Sequence, residues 1–400
     1  MSGLLWAPQL EGARVGERAW FPELSAFAYL NHAAVSPPSR EVQRAVHAIV
    51  SDYASRGLGA VGAWRDQRER LRGRLARLIG ARPEEIALMP STTRAVIDAA
   101  LCMPWKPGDR VLCFRGEFPT NVTPWQRAAD TFGLEVVFGD AEDFRNERGL
   151  EAVREHLARG VRLIAVSAVE FQTGLRVPLA EIARAAHDAG AEVFVDAIQA
   201  VGAVPIDVRD GEIDYLACGS HKWLMGLEGA GFLFIREDRA RALVPRVAGW
   251  LSHEEPLRFL LEGAGHLRYD RAIRTEPTFL EVGAINGVGF AALEAAVAPI
   301  EAIGVDTIFA HIQRYHDALE PALVERGFTS RRPIPIEQRS GSLSVVPPDA
   351  IELSTLFAKL TQRGVAVSMP DGHLRFAPHW PNALDEVPRV IEAIDAALAG

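Results

Sequence analysis

Short apolar runs alternate with amphipathic stretches along the middle of this chain. The runs have the length of buried strands, and the stretches between them carry apolar residues at helical spacing. Continuous apolar strands separated by helices indicate an α/β fold, a mostly parallel sheet covered on both faces. The predicted strands cover residues 86–89, 110–114, 134–138, 161–169, 192–195 and 213–218, with a further apolar run at 229–235. The predicted helices cover residues 37–56, 63–79, 150–158 and 179–189, with others after Ser91 and Pro119.

The pattern changes near residue 281. An Ala-rich helical stretch at 282–303 precedes a mixture of helices and strands that is typical of a smaller α+β domain. The later helices cover 307–326, 351–363 and a stretch from Leu384, and the later strands cover 341–346, 365–368 and 373–376. We therefore expect an N-terminal segment 1–28 that packs on the small domain, a large domain 29–280, and a small C-terminal domain 281–400 that includes the linking helix.

The composition is that of an ordinary globular protein, with 400 residues of which 48% are hydrophobic and 24% charged. The net charge of −9 argues against a nucleic-acid partner. No signal peptide is recognised and no stretch approaches the roughly 20 apolar residues that span a bilayer, so we expect a cytoplasmic protein without a membrane partner. The three cysteines (Cys102, Cys113 and Cys218) form no CxxC pair, which predicts neither a metal site nor a disulfide framework.

The segment 218–226 carries the most specific chemistry in the chain. It sets Lys222 directly behind a serine and a histidine, just after a strand-like run. A lysine where a strand ends inside a domain needs a reason, because lysine is rarely buried. One such reason is that it is a nucleophile with a lowered pKa. A lysine that forms a Schiff base with pyridoxal 5'-phosphate (PLP) needs this kind of site, an amine held by rigid backbone near a phosphate cradle.

Two other motifs are compatible with the same cofactor. Asp196 ends the run 192–195 at the sheet edge where ligands bind, and the PLP ring nitrogen would pair with its carboxylate. Alone, this aspartate is better explained by a helix N-cap or a salt bridge; Gln199 one turn on and the lysine near a strand end favour the cofactor. Residues 91–93 open a helix whose N-terminus can bind phosphate, although alone they describe a capped helix. The glycines between 226 and 231 lack the spacing of a dinucleotide-binding loop.

Together, these motifs resemble the class V aminotransferase family of PLP-dependent enzymes, which has the fold-type I architecture. The family includes cysteine desulfurases, selenocysteine lyases, isopenicillin-N epimerase and kynureninase. The resemblance runs from about Tyr29 to the C-terminus. It rests on YLNHAA at 29–34, STT at 91–93, EFPTN at 117–121, PWQ at 124–126, VDAIQAVG at 195–202, HKWL at 221–224 and LRFAPHWPN at 374–382.

The resemblance implies a role for each matching residue. Lys222 forms the Schiff base and later moves the substrate α-proton, Asp196 pairs with the pyridine nitrogen, and Gln199 contacts the ring hydroxyl. The phosphate is held by Thr92, Thr93, Ser220 and His221. Phe118 stacks on the ring unless it belongs to the core, and Arg375 binds the substrate carboxylate unless it forms a surface salt bridge. Because relatives are homodimers, Thr278 is a weaker candidate for a contact with the neighbouring subunit's cofactor. The candidates for the substrate pocket wall are Asn31, His32, Gln172 and His379, although a histidine at the position of His379 more often has a structural role.

The sequence leaves the reaction open among several that start from a small α-amino acid. Transamination is our expectation, because it needs only Lys222, Asp196 and Arg375. A cysteine-independent C–S (β-elimination) lyase and an amino-acid epimerase are the close alternatives. A non-catalytic PLP-fold binding protein and an unrelated nucleotide-binding α/β enzyme are remote ones. Residues 340–375 contain no cysteine, and on this ground the sequence disfavours a persulfide-type cysteine desulfurase.

Overall fold

A seven-stranded sheet forms the centre of the larger unit in the computed structural model, which describes residues 6–399. Its strand order is β2-β8-β7-β6-β5-β3-β4, once the strands are numbered along the chain. The strands are β1 (Ala28–Tyr29), β2 (Ile86–Met89), β3 (Arg110–Arg115), β4 (Glu135–Asp140), β5 (Leu163–Ser167), β6 (Glu192–Asp196), β7 (Tyr215–Gly219), β8 (Gly231–Ile235), β9 (Thr329–Ser330), β10 (Leu343–Val346), β11 (Val365–Ala366) and β12 (Leu374–Phe376). Strands β3 to β7 pair in parallel, whereas β8 runs antiparallel to β2 and β7. The predicted α/β class is confirmed.

The helices lie close to the predicted positions. They are α1 (Arg40–Arg56), α2 (Val61–Leu78), α3 (Thr92–Cys102), α4 (Thr123–Phe132), α5 (Arg148–Leu157), α6 (Leu179–Asp188), α7 (Glu237–Ala242), α8 (Arg258–Leu261), α9 (Gly287–Ile303), α10 (Val305–Glu325), α11 (Leu353–Gln362) and α12 (Val387–Leu398). Helix α9 starts five residues later than the predicted 282 because Asn286 is its N-cap and accepts a hydrogen bond from the Gly289 N–H at 2.9 Å.

The sheet is buried on both faces, and strand β6 shows how. Val193 and Val195 face a core layer that includes side chains from α1, α2, α5, α6 and α9. Phe194, between them, faces the opposite layer with α3 and α4, where Trp125 contacts its ring. Successive side chains of a strand point to opposite faces, so a strand covered on both sides is apolar throughout. This explains the continuous apolar runs in the sequence.

The smaller unit contains the antiparallel sheet β12-β10-β9 and the helices α10 to α12. Its core joins residues of these elements to Ala28 and Leu30. Strand β1 extends this contact by pairing in parallel with β11. The segment that precedes β1 also reaches residues near the C-terminus, since the Trp20 ring packs edge-on against Trp380 at 5.6 Å.

The position of helix α9 differs from the one expected in the domain division. The prediction assigned it to the small domain as a linking helix, but its buried residues belong to the core of the large sheet. It packs there against α1 and α2, because nearly every face of this Ala-rich helix is apolar. In residues 6–399 no single helix is long and apolar enough to cross a membrane; α9 and α10 pass that test only as a pair bent by 80°.

Candidate active site

The carboxyl ends of the parallel strands bring the predicted chemistry together at one edge of the sheet. Asp196 is the last residue of β6, and it lies beside Ser167 of β5 and Ala217 of β7. Lys222 follows three residues after β7 ends. Because parallel strands end at the same edge, Asp196 and Lys222 share one pocket.

Lys222 lies among Phe118, Asp196 and Arg375. The pKa of its amine is lowered to about 8, chiefly by burial; the Asp196 carboxylate opposes this shift and the nearby Arg375 guanidinium adds to it. Its Nζ lies 5.5 Å from the centroid of the Phe118 ring. An amine with this pKa is partly unprotonated near neutral pH, as a nucleophile or a base must be.

Asp196 is a buried carboxylate with an incomplete set of partners. Its Oδ1 accepts a hydrogen bond from the Ile198 N–H at 3.0 Å, which is the only one that residues 6–399 donate to it. Burial raises the pKa of this carboxyl to about 6. A buried carboxylate without a hydrogen-bonded cation is costly, so a protonated ring nitrogen is a fitting partner.

The start of α3 forms a pocket suited to a phosphate. Ser91 caps the helix by accepting a hydrogen bond from the Arg94 N–H at 3.1 Å. Thr92 is buried, and its Oγ1 has no hydrogen-bond partner within residues 6–399. A Cβ built on Gly219 would lie 3.1 Å from this Oγ1 and 3.6 Å from the His221 ring, so only glycine leaves the space open. The Thr93 hydroxyl contacts Thr120 at 2.8 Å.

Two of the predicted cofactor ligands already have partners inside the protein. The Ser220 hydroxyl donates its proton to the Leu227 carbonyl, which leaves none for a phosphate in this arrangement. Gln199 accepts a hydrogen bond from the Trp223 indole at 2.8 Å and donates one to the Ala33 carbonyl at 3.0 Å. One N–H of the Gln199 carboxamide remains for the ring hydroxyl. The roles of both residues stay predictions.

Arg375 lies in β12 of the small sheet and is buried. Its guanidinium donates to the Ser368 hydroxyl at 3.2 Å and to the Phe171 carbonyl, and no acidic side chain of residues 6–399 pairs with it. Burial lowers its pKa to about 10, so the group stays charged at neutral pH. A buried cation without a counter-ion is costly, and a substrate carboxylate would supply one. The alternative of a surface salt bridge is wrong.

An aromatic pair forms a wall of the pocket. Phe118 remains 45% exposed, and its ring meets Phe171 edge-on at 5.4 Å. The exposure of Phe118 argues against a core role. The predicted pocket residue Gln172 follows Phe171 and donates a hydrogen bond to Asp371 of the small unit at 2.7 Å. The loop after β5 therefore contacts both units.

The predicted roles of the two pocket histidines do not agree with their contacts. His379 is fully buried, its Nδ1 accepts a hydrogen bond from the Trp380 N–H at 2.7 Å, and its Nε2 donates to the Trp223 carbonyl at 2.9 Å. Both nitrogens are thus used by the main chain, and burial lowers the pKa of the ring to about 3. His32 is also buried and contacts the Ser36 hydroxyl at 2.7 Å. The His379 ring thus holds the backbone and the His32 ring contacts a side-chain hydroxyl, so neither contact supports a place in the substrate pocket wall.

The remaining candidates stay predictions. The Asn31 Oδ1 is buried without a hydrogen-bond partner in the described part of the chain, so it is free to meet a ligand. Thr278 lies in a short 3-10 helix, Pro277–Leu280, where its carbonyl accepts a hydrogen bond from Arg274 at 2.9 Å. Its proposed contact belongs to a neighbouring subunit, which a single chain does not test.

Glu117 is a buried group at this edge to which sequence reasoning assigned no role. Its carboxyl accepts hydrogen bonds from the Ser167 N–H at 2.5 Å and from the Ser167 hydroxyl. Burial, aided by the Asp196 charge, raises the pKa of this carboxyl to about 8, against the lowering effect of the Ser167 hydrogen bonds. The available signal was an acidic residue three positions after the predicted strand 110–114. The structure brings no three metal-ligating side chains together within residues 6–399.

The fold and the site define a PLP-dependent enzyme of fold-type I, and comparison with known proteins identifies the family. The Aminotransferase class-V family model matches residues 28–379, so the chain belongs to the class V aminotransferase family. The chain is 26% identical over 389 residues to an uncharacterized aminotransferase, YcbU, of Bacillus subtilis, covering 95% of this chain and 96% of the relative. It is 30% identical over 315 residues to a cysteine desulfurase of Dickeya dadantii, covering 74% of this chain and 72% of the relative.

Solved structures show the same fold. The structure of a cysteine desulfurase from Thermococcus onnurineus matches with a TM-score of 0.82 and 25% identity, covering 93% of this chain and 95% of that chain. The cystine C–S lyase C-DES matches with a TM-score of 0.85 and 21% identity, covering 94% of this chain and 98% of that chain. At this identity the second likeness concerns the fold alone.

These relatives correct one expectation from the sequence. Several of them, from bacteria and archaea, are named cysteine desulfurase, so the argument that disfavoured this activity is wrong. Cys102, Cys113 and Cys218 are all buried in this chain. The burial of these cysteines in this conformation does not distinguish the chain from relatives named cysteine desulfurase.

The residues present fit PLP. The unpartnered Thr92 hydroxyl suits a phosphate oxygen, and the Asp196 carboxylate suits a protonated ring nitrogen. Lys222 offers an amine with a lowered pKa, 5.5 Å from the centroid of the Phe118 ring. The family and the solved structures, one of which carries glycine covalently linked to PLP, agree that PLP is the cofactor.

Proposed function

We propose that this chain is an aminotransferase that acts on a small α-amino acid. The observation that carries the proposal is the position of Arg375, a buried guanidinium without an acidic partner in the described chain, close enough to lower the pKa of Lys222. A fixed cation beside a reactive amine is what an α-amino acid requires, because its carboxylate and its Cα must be bound at neighbouring points.

When bound, PLP withdraws electrons from the substrate Cα and makes its C–H bond acidic. The chain's own residues then divide the work. Arg375 binds the carboxylate and so orients the substrate. The Lys222 amine, whose pKa is about 8, takes the Cα proton and returns it. Asp196 holds a negative charge at the end of β6, which keeps a ring nitrogen protonated.

Transamination requires only these three side chains, and that is why we prefer it to the reactions that need a further acid or nucleophile. It also agrees with the similarity to the uncharacterized aminotransferase over 95% of the chain. The second candidate is the removal of sulfur from cysteine, which the names of other relatives favour. The two reactions differ in the fate of the substrate nitrogen, which leaves the amino acid only in transamination.

A substrate screen separates the two candidates. The PLP-loaded protein is incubated with each common amino acid, with and without a 2-oxo acid acceptor, and the products are measured as oxo acid, alanine plus sulfide, or pyruvate plus ammonia. We expect acceptor-dependent oxo acid formation, and a Lys222→Ala protein serves as the matched blank. Alanine formed from cysteine without an oxo acid, with the sulfur recovered as sulfide once an added dithiol supplies the two electrons, would replace transamination with desulfuration. A native protein that never retains PLP would overturn both candidates.

We further propose that the chain works as a homodimer. Several large apolar side chains of one segment are exposed in the single chain: Trp250, Leu260, Leu261, Leu267 and Tyr269. Exposed apolar side chains this close in sequence are typical of an interaction surface. Light scattering during size-exclusion chromatography tests the proposal, and we expect a mass of twice 43.6 kDa. A mass of 43.6 kDa at micromolar concentration would contradict it.

A further inference from the structure

Three consecutive carbonyls of the lysine segment accept hydrogen bonds from residues that are distant in the chain. The Ser36 N–H donates to the His221 carbonyl at 2.7 Å, and the Ser36 hydroxyl donates to the Lys222 carbonyl at 2.6 Å. His379 donates to the Trp223 carbonyl at 2.9 Å. Residues 220–223 belong to no helix or strand, so these contacts hold the backbone together with a local turn, in which the Met225 N–H donates to the Lys222 carbonyl at 2.9 Å.

Ser36 contributes two of these three contacts, and its surroundings restrict its position. It is buried, and the prolines at 37 and 38 restrict the backbone that follows it. The Lys222 carbonyl oxygen can only accept a hydrogen bond, so the Ser36 hydroxyl donates its proton to that oxygen. The neighbouring His32 Nδ1, at 2.7 Å, is then the donor to Ser36 Oγ. The chain of donors runs from His32 through Ser36 to the main chain of Lys222.

The opposite side of the segment is also closed. A Cβ built on Gly202 would lie 2.5 Å from the Trp223 carbonyl oxygen, so the two backbones touch. The Trp223 indole donates to Gln199 at 2.8 Å. Lys222 therefore leaves a backbone that is packed on one side and hydrogen-bonded by Ser36 on the other. Because the backbone of Lys222 is already held, fixing its amine in one position costs the entropy of the side chain alone.

We propose that Ser36 is a positioning residue for Lys222, and that its hydroxyl sets how fast and how completely this lysine attaches to PLP. The inference rests on the proposed function in one respect, that Lys222 is the site of covalent attachment. Attachment joins the Lys222 nitrogen to an aldehyde carbon and releases one water, so it requires the amine at a fixed distance and angle. Loss of the Ser36 hydroxyl leaves the Lys222 carbonyl with the Met225 N–H, at 2.9 Å, as its donor, and it leaves a buried His32 N–H without its acceptor.

Ser39 offers a matched control for a role in stability alone. It is buried like Ser36 and lies three residues further along the same segment. Its hydroxyl oxygen caps α1 by accepting a hydrogen bond from the Val42 N–H at 3.3 Å, and it makes no hydrogen bond to the lysine segment. Ser39→Ala removes one buried hydroxyl and lowers stability without touching Lys222.

The experiment compares Ser36→Ala with Ser39→Ala. Each protein is freed of PLP, its stability is measured by urea unfolding, and the growth of the visible absorption of covalently attached PLP is followed after addition of PLP. Borohydride reduction and peptide mass mapping then give the fraction attached at Lys222. We expect Ser36→Ala to slow attachment about fivefold or more, the factor that loss of one hydrogen bond of ~1 kcal/mol implies. Ser39→Ala should keep the wild-type rate at a similar loss of stability.

Each outcome has a separate meaning. Equal rates for the two variants and the wild type would overturn the role of Ser36. Wild-type PLP attached to a lysine other than Lys222 would overturn the proposed function instead. If Ser36→Ala does not fold, Ser36→Cys keeps the volume with a weaker donor, and we expect it to slow attachment as well. A wild-type rate for a folded Ser36→Cys protein would then contradict the inference.

Discussion

The Nζ of Lys222 lies 5.5 Å from the centroid of the Phe118 ring, so the reactive amine and an aromatic face share one pocket. The ring is 45% exposed, and within residues 6–399 its one aromatic neighbour is Phe171, which it meets edge-on. A flat aromatic cofactor bonded to Lys222 would find this ring beside it, and offset stacking is a favoured arrangement for two such rings.

The first prediction concerns this ring. Phe118→Ala should weaken PLP binding about tenfold, because an aromatic contact contributes ~0.5–1.5 kcal/mol beyond the area that it buries. The stability of the PLP-free protein should change little, since the side chain is half exposed. Fluorescence titration with PLP gives the affinity, and Phe118→Tyr is the control that keeps the ring. Equal affinities for the alanine variant and the wild type would show that Phe118 does not stack.

The second prediction concerns Arg375. Replacing it by Gln should lower kcat/KM for the amino-acid substrate by about 100-fold, because a buried charge pair with the carboxylate is worth ~3 kcal/mol. PLP binding should be nearly unchanged. Steady-state kinetics measure the loss, and an amine that has the same side chain but no carboxylate is the control substrate. A similar loss for both substrates would mean that Arg375 acts on structure and does not bind the carboxylate.

The third prediction concerns Asp196 and pH. Burial raises the pKa of this carboxyl from 3.8 to about 6 in the folded chain, so the unfolded state releases its proton first. The stability of the PLP-free protein therefore falls as pH rises from 3.8 through 6, and the cost is complete above pH 6. Asp196→Asn removes this cost and should raise the free energy of unfolding by ~1–3 kcal/mol at pH 8.

Urea unfolding of the PLP-free protein at pH 8 and pH 5 checks this prediction. The gain from Asp196→Asn should be larger at pH 8, because the aspartate is charged there and mostly protonated at pH 5. The asparagine keeps an oxygen for the Ile198 N–H, which makes the variant a close match. The same variant should bind PLP more weakly. A gain that is larger at pH 5 would contradict the assigned pKa.

The fourth prediction concerns the Lys222 amine. Its neutral form reacts, and its pKa is about 8, so the rate of PLP attachment should rise about tenfold per pH unit below pH 8 and level off above it. The rate at which free lysine, whose pKa is near 10.5, attaches to PLP should still rise with pH in this range. Stopped-flow absorbance gives both rates. Asp196→Asn should move the protein's curve to lower pH because its charge raises the Lys222 pKa; an unmoved curve would show that the two groups do not interact.

Much of the large sheet could be predicted because its strands are short, apolar and separated by amphipathic helices. The run 86–89 matches β2 residue for residue, and the run 192–195 lacks only the last residue of β6. Helix α9 shows where this approach ends. Its Ala-rich sequence predicts a helix, but an apolar surface does not specify which of two cores will bury it.

The residues of the site also fall into those that could be predicted from the sequence and those that could not. Lys222 and Asp196 could be placed together from sequence because each follows a parallel strand, and such strands end at one edge. The hydrogen-bond partners of His379 and Ser36 could not be predicted from sequence. Ser36 meets Lys222 across 186 positions in the chain, and His379 meets Trp223 across 156. No local pattern records a contact of that range.

The sequence by itself determined the α/β class, the family, the cofactor and the residue types that carry the chemistry. Only the tertiary structure decided which of those polar groups are free to bind a ligand. Thr92, Asp196 and Arg375 retain free hydrogen-bonding capacity or an uncompensated charge, whereas Ser220 and His379 donate to backbone carbonyls. The physical reason is that a buried polar group binds whichever partner the fold brings within reach, and that partner is commonly distant in sequence.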